Sequence, residues 1–126
     1  MAAIVYDTGA LLAAERRNPD FLALHDEVTA AHIRPLVPVV VLAQAWRGGP
    51  QHQISRVLKG CDIIAADERT GRAAGVACAA AGTTDVVDAI VIATAVRHQA
   101  PVVTSDPGDL ARIADAIGVK IKVYPT

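Results

Sequence analysis

Aromatic residues make up only 3% of this chain: one Trp, two Tyr and one Phe among 126 residues. Its core must therefore be aliphatic and alanine-rich, and it has little surface on which unpaired bases could stack. Cysteine is scarce as well. Cys61 and Cys78 have no zinc-type spacing and form no C-x-x-C, so they read as small, reduced core residues. Positive charge is not in excess, with 12 Lys and Arg against 13 Asp and Glu and a formal net charge of −1. Bulk charge thus gives no sign of a basic nucleic-acid binder, and a phosphate partner would have to meet local arginines or a bound metal. No apolar run approaches the roughly 20 residues needed to span a membrane. The N-terminus has no basic region, and Asp7 interrupts its apolar run too early for a signal peptide. The expectation is a soluble, cytoplasmic protein.

What is present is material for a core. Hydrophobic residues account for 52% and charged residues for 20%, which argues against disorder. The length suggests one compact domain over residues 1–126. "AAIVYD" reads as a short buried strand ending at Asp7, followed by a helix from "TGALLAAE". Asn18 and Pro19 suit the N-cap and first position of a second helix. "PLVP" is extended. "VVVLAQAW" is ambiguous, because its β-branched start favours strand and its end favours helix. "QHQISRVLK" suggests a short helix closed by Gly60. "DIIAA" suggests a strand, and Asp67 a cap for a helix ending at Gly82. A helix from about Val86 to His98 follows, then the strand "PVVTS", the helix "PGDLARIADAI" and the strand "KIKVY". Short apolar strands alternating with helices indicate an α/β fold with a mostly parallel sheet covered on both faces.

In such sheets, sites form at the carboxyl edge of the strands. Asp7 ends the first strand and Asp106 follows "PVVTS", so both belong at that edge. Asp88 is the only ionisable side chain between Val86 and Val96. Its helix leads by a short connection into the strand at Val102. It must therefore begin near the opposite, carboxyl edge, with Asp88 in its first turn. Three carboxylates distant in sequence converge on one rim. Two such charges about 4 Å apart repel by about 4 kcal/mol at an effective dielectric near 20. The cluster calls for a divalent cation, and an all-oxygen donor set favours magnesium or manganese over zinc. Each acid taken alone has an ordinary explanation: Asp7, Asp85 and Asp106 suit N-caps, and Asp88 gains from the helix dipole.

Four stretches, "IVYDTGALLAA", "VVVLAQAWRGG", "TTDVVDAIVIATA" and "VVTSDPGDL", cover almost the whole chain in order. Together they resemble a PIN domain of the kind found in VapC-type toxins of bacterial toxin–antitoxin pairs. The resemblance implies a three-layer α/β/α domain, usually homodimeric. It also implies a magnesium- or manganese-dependent ribonuclease acting on RNA. A small cognate VapB-type antitoxin would neutralise it, its C-terminal segment wrapping the toxin and covering the acidic site. Asp7, Asp88 and Asp106 match the family's metal-site aspartates, with Asp85 and Asp109 placed to assist through water.

One position departs from that pattern. The family usually has Glu in the "VVVLAQAWRGG" segment, where this chain has Gln44. An amide oxygen can ligate a cation or bond a metal-bound water, but it carries no charge and cannot act as a carboxylate base. The expected consequences are weaker metal binding, reliance on one tightly held ion, or recruitment of Asp85. The alternative is a weakened or inactive PIN-like domain that binds RNA or a protein without cutting. Arg47 lies three residues on. If the segment is helical, both side chains share a side, and Arg47 could grip a phosphate or serve at the surface. Thr8 and Thr104 flank the acids and suit either hydrogen bonding to a carboxylate or water, or turn and cap roles. His25, His32, His52 and His98 show no convergent spacing and read as surface or helix-end residues. Trp46 suits core or interface more than base stacking. Other strand-then-Asp proteins fit less well. An aspartyl phosphatase wants a second Asp where Gly9 stands. A receiver domain wants an acidic pair after the first strand and a late lysine. A dinucleotide fold wants G-x-G-x-x-G, which is absent.

Overall fold

The computed structural model describes residues 3–126. The expected start of the first strand at Ala2 lies outside the described residues. The chain folds as β1 (Val5–Tyr6), α1 (Thr8–Glu15), α2 (Pro19–Ala30), β2 (Leu36–Pro38), α3 (Val39–Ala45), α4 (His52–Leu58) and β3 (Asp62–Ile64). Then come α5 (Glu68–Ala81), α6 (Val86–His98), β4 (Val102–Thr104), α7 (Pro107–Ala116) and β5 (Val123–Pro125). The five strands form one sheet in the order β3-β2-β1-β4-β5, and every pairing is parallel. With helices on both faces this is the expected three-layer α/β/α arrangement.

The strand order reverses between β1 and β4. β2 lies on one side of β1, β4 on the other, and the register places Val5 against both Leu36 and Val102. A crevice opens at the carboxyl ends of two strands whose connections leave in opposite directions. Asp7 follows β1 and Asp106 follows β4, so the topology carries both to this crevice. The backbone N–H of Asp7 donates to Val103 O at 3.2 Å, tying the end of β1 to β4.

The core is aliphatic, as the composition requires. Ile4, Val5, Leu11, Val37, Val41, Ile54, Val91, Ile92, Val102 and Val103 are fully buried. Tyr6 and Phe21 are buried beside them, their rings 5.2 Å apart edge to face. Both cysteines are free and buried, and burial pushes the Cys61 thiol up to about 12. Among the described residues, no single helix is long and apolar enough to cross a membrane.

The structure settles one element the sequence left open and corrects two readings. "VVVLAQAW" is helical from Val39 to Ala45. The helix places Val41 and Ala45, four residues apart, on the buried side, and tertiary burial outweighs the strand preference of three valines. The last strand is Val123–Pro125 rather than "KIKVY", because β4 offers only three partner residues and β5 pairs with those alone. His25 is half-buried rather than at the surface. Its Nδ1 lies 2.8 Å from Tyr6 Oη, its ring stacks on Phe21, and burial lowers its pKa.

Candidate metal centre

The acids reach the rim through helix starts. Asp7 is the N-cap of α1, and its Oδ1 accepts the Ala10 N–H at 2.9 Å. Asp85 caps α6 by accepting from Asp88 N at 3.3 Å. Asp106 caps α7 by accepting from Asp109 N at 3.3 Å, with Pro107 in the first turn. Asp88 and Asp109 are the acidic residues of those two first turns. Three helix N-termini thus converge on one place. Capping and clustering are two uses of the same side chains, since a capping carboxylate spends one oxygen on the backbone and keeps lone pairs for other partners.

Asp7, Asp85, Asp88, Asp106 and Asp109 are electrostatically coupled in a chain. Carboxylate oxygens of Asp85, Asp88 and Asp109 lie within 4.8 Å of one another. Asp7 is the buried member, 6% exposed. Burial raises its pKa, opposed by the Thr104 hydroxyl and the N–H groups of Ala10 and Gly9, while Asp106 adds to the rise. Asp88 is pushed up to about 7, first by burial, then by its hydrogen bond with Asp85, then by the charges of Asp85, Asp7 and Asp109. Asp109 is raised chiefly by its hydrogen bond with Asp106 and the Asp106 charge, with Arg112 pulling the other way.

The protein supplies these acids with no ion pair. Among the described residues the salt bridges are Arg34–Asp62, Arg72–Glu68 and Arg97–Asp67, and none includes a rim acid. An all-oxygen cluster of this density, short of positive charge, fits a hard divalent cation such as magnesium or manganese.

Thr104 is fully buried. Its Oγ1 accepts the Asp106 N–H at 2.9 Å, and its hydroxyl bonds Asp7, so it links two acids from different strands. Thr8 donates its hydroxyl proton to Gln44 Oε1, joining the start of α1 to α3. Arg47 lies beyond the end of α3. Its Nη1 donates to Ala43 O at 3.1 Å and to Trp46 O at 2.8 Å, closing the last turn of that helix. Trp46 is partly exposed at the same end. His32, His52 and His98 are exposed and contribute nothing here.

One feature of the rim was not anticipated. Gly9, two residues after Asp7, packs directly on Ser105. A Cβ at Gly9 would stand 2.8 Å from Ser105 Cβ and 2.9 Å from its backbone N. This close approach holds the Asp7 turn against the Asp106 turn. Its sequence signal is the glycine following Asp7 and Thr8, which reads equally well as an ordinary helix start.

No curated protein shows significant sequence similarity to the chain. Among solved structures, the fold is similar to VapBC2 from Rickettsia felis, crystallised bound to a DNA fragment from its promoter. The TM-score is 0.71, with 17% identity and 98% of each chain covered. It is also similar to FitAcB from Neisseria gonorrhoeae, with a TM-score of 0.68, 17% identity and 96% of each chain covered. Residues 4–116 match the PIN domain as a family. With the parallel sheet and the aspartates gathered at its switch point, this chain belongs to the PIN domain family.

Proposed function

We propose that this protein is a divalent-metal-dependent endoribonuclease, the toxin of a VapC-type toxin–antitoxin pair. One observation carries the reading: the carboxylates of Asp85, Asp88 and Asp109 lie within 4.8 Å of one another, Asp7 and Asp106 act on them through their charge, and among the described residues none of the five has an arginine or lysine ion pair. Asp7, Asp88 and Asp106 would hold one or two magnesium or manganese ions, with Asp85 and Asp109 beside them. When bound, such an ion supplies a more acidic water and stabilises charge on the phosphate oxygens of a phosphodiester. The chain's own part is placement. Thr104 sets Asp7 against Asp106, and the α6 N-terminus presents Asp88. Asp7 is buried and Asp88 half-buried, so a cation would replace solvation these two have lost, while Asp85, Asp106 and Asp109 stay open to solvent.

The partners in this reading are RNA as substrate and a VapB-type antitoxin as inhibitor, and the setting is the cytoplasm. The fold likeness to VapBC2 supports the antitoxin. A homodimer follows from the same family resemblance and is checked by light scattering. Gln44 supports a second reading, in which the domain binds RNA without cutting it, because the position carries an amide in place of a carboxylate.

The deciding experiment is cleavage of a mixed RNA pool by purified protein with manganese or magnesium. Asp7→Asn and Asp88→Asn are each expected to lower the rate by at least about a hundredfold, as expected for loss of metal-assisted catalysis. Activity that survives both substitutions sinks the proposal. RNA binding by the native chain with no cleavage in either ion selects the second reading.

A further inference from the structure

The hydrogen bond between Thr8 and Gln44 changes what residue 44 can offer. Thr8 is the first residue of α1, directly after the buried Asp7, and Gln44 lies on the exposed side of α3. The Thr8 hydroxyl donates to Gln44 Oε1. A hydroxyl proton on that oxygen fixes the amide plane and occupies one lone pair of the atom that would ligate a cation. That leaves one lone pair on Oε1, already polarised by the hydroxyl, and the Nε2 amino group, which only donates. A donor is of no use to a metal ion. It needs an acceptor, and the acceptor that a polyanionic substrate brings to an acidic rim is a phosphate oxygen. The carboxylates repel that phosphate; among the described residues no arginine or lysine is ion-paired to them, and Arg112 acts on Asp109 only through its charge. Arg47, two residues beyond the end of α3, has its Nη1 engaged with the carbonyls of Ala43 and Trp46.

We infer that Gln44 is an RNA-phosphate donor rather than a metal ligand, and that Thr8 is the positioning residue that turns its amide to that task. The inference rests on the metal-dependent reading above. It explains how the rim tolerates an amide at this position: the change removes one negative charge and adds a donor where the substrate backbone must pass.

The test separates metal binding from RNA binding in the full chain. Manganese affinity is measured by titration calorimetry. Affinity for a mixed-sequence RNA oligonucleotide is measured by fluorescence anisotropy with calcium in place of manganese. Gln44→Ala and Thr8→Val are expected to leave manganese affinity within about twofold. Both should weaken RNA affinity by about tenfold, in the range for a hydrogen bond to a charged acceptor. Thr8→Ser keeps the hydroxyl and restores RNA affinity to within about twofold, which a merely structural role for the threonine methyl would not give. Gln44→Glu should tighten manganese and weaken RNA, because it returns a negative charge to the rim. A tenfold loss of manganese affinity in Gln44→Ala makes Gln44 a ligand and overturns the inference alone. Unchanged RNA affinity in Thr8→Val also overturns it. A native chain that binds no manganese at millimolar concentration overturns the metal-centre reading, and this inference with it.

Discussion

Asp67 at the start of α5 and Asp85 at the start of α6 cap their helices in the same way, each accepting the backbone N–H three residues on. Their neighbourhoods differ. The N–H and hydroxyl of Thr70 bond Asp67, and Arg97 Nη1 reaches it at 3.0 Å, so its pKa falls to about 2. Asp85 has another carboxylate, Asp88, for a neighbour, and Asp88 rises to about 7. The protein itself gives Asp67 a cation, Arg97. Among the described residues the rim acids have none. Capping geometry is the same in both places, and the source of the counter-charge is what differs.

The largest test of this contrast is metal addition. Manganese or magnesium at about 100 times its Kd should stabilise the native chain by about 2.7 kcal/mol, read as a rise in Tm. Asp88→Asn should lose most of that rise, and Asp67→Asn should keep it. A native chain whose Tm ignores both ions at millimolar levels removes the contrast.

Next in size is Gly9→Ala. A methyl group at that position collides with Ser105, including its backbone N, so the turns bearing Asp7 and Asp106 must part. Overpacking of this kind costs about 1–3 kcal/mol, and the displaced carboxylates should bind manganese more weakly. Denaturant unfolding and calorimetry check the two effects separately. Normal metal affinity in a destabilised variant would mean that the close approach serves the fold alone.

The third test uses pH. The Asp88 pKa is raised on folding, from the ordinary carboxylate range to about 7. The folded state then holds a proton that the unfolded state releases between about pH 4 and pH 7. The Asp88 contribution is fully present below its unfolded pKa and is lost as pH rises through about 7. Asp88 is half-buried, so solvent screening limits the effect to about 1–2 kcal/mol. Without metal, the native chain should lose stability over this window more steeply than Asp88→Asn. The variant should be the more stable of the two at pH 8. Identical pH profiles would place Asp88 in an ordinary solvated setting.

The smallest effect is expected at the exposed structural acid. Asp67→Asn keeps a capping side chain and weakens only the charge pairing with Arg97. A slight drop in Tm that high salt diminishes is expected, with RNA cleavage unchanged. A large loss of cleavage would mean that the α5 N-terminus acts on the site after all.

Much of this molecule was legible from the chain. The alternation of short apolar runs with helices implied a parallel sheet. Asn18–Pro19, Asp67 and Gly82 marked helix ends that the structure reproduces. Asp88 stood out because it is the only ionisable side chain between Val86 and Val96 and Asp85 already supplies the cap. The α6 helix is less enclosed than its composition suggested, since Val86 is 55% and Val96 42% exposed. Periodicity reports side-chain type, and a helix that is apolar all round hides which side faces solvent. For the same reason the three valines of α3 could not choose between strand and helix, a choice made by the burial of Val41 and Ala45.

The sequence by itself determined the inventory: an aliphatic core, capping aspartates before helices, a lone acid in an apolar segment, and an amide at position 44. These follow from local chemistry, which neighbouring residues carry. Tertiary structure alone decided which acids meet. Asp85 and Asp109 are 24 residues apart, yet they share the tightest grouping with Asp88, because α6 and α7 both start at the switch-point edge of the sheet. It also placed Gly9 against Ser105 and the Thr8 hydroxyl on Gln44. Such contacts depend on the order and spacing of strands, which hydrogen bonds between distant segments set and no local pattern encodes.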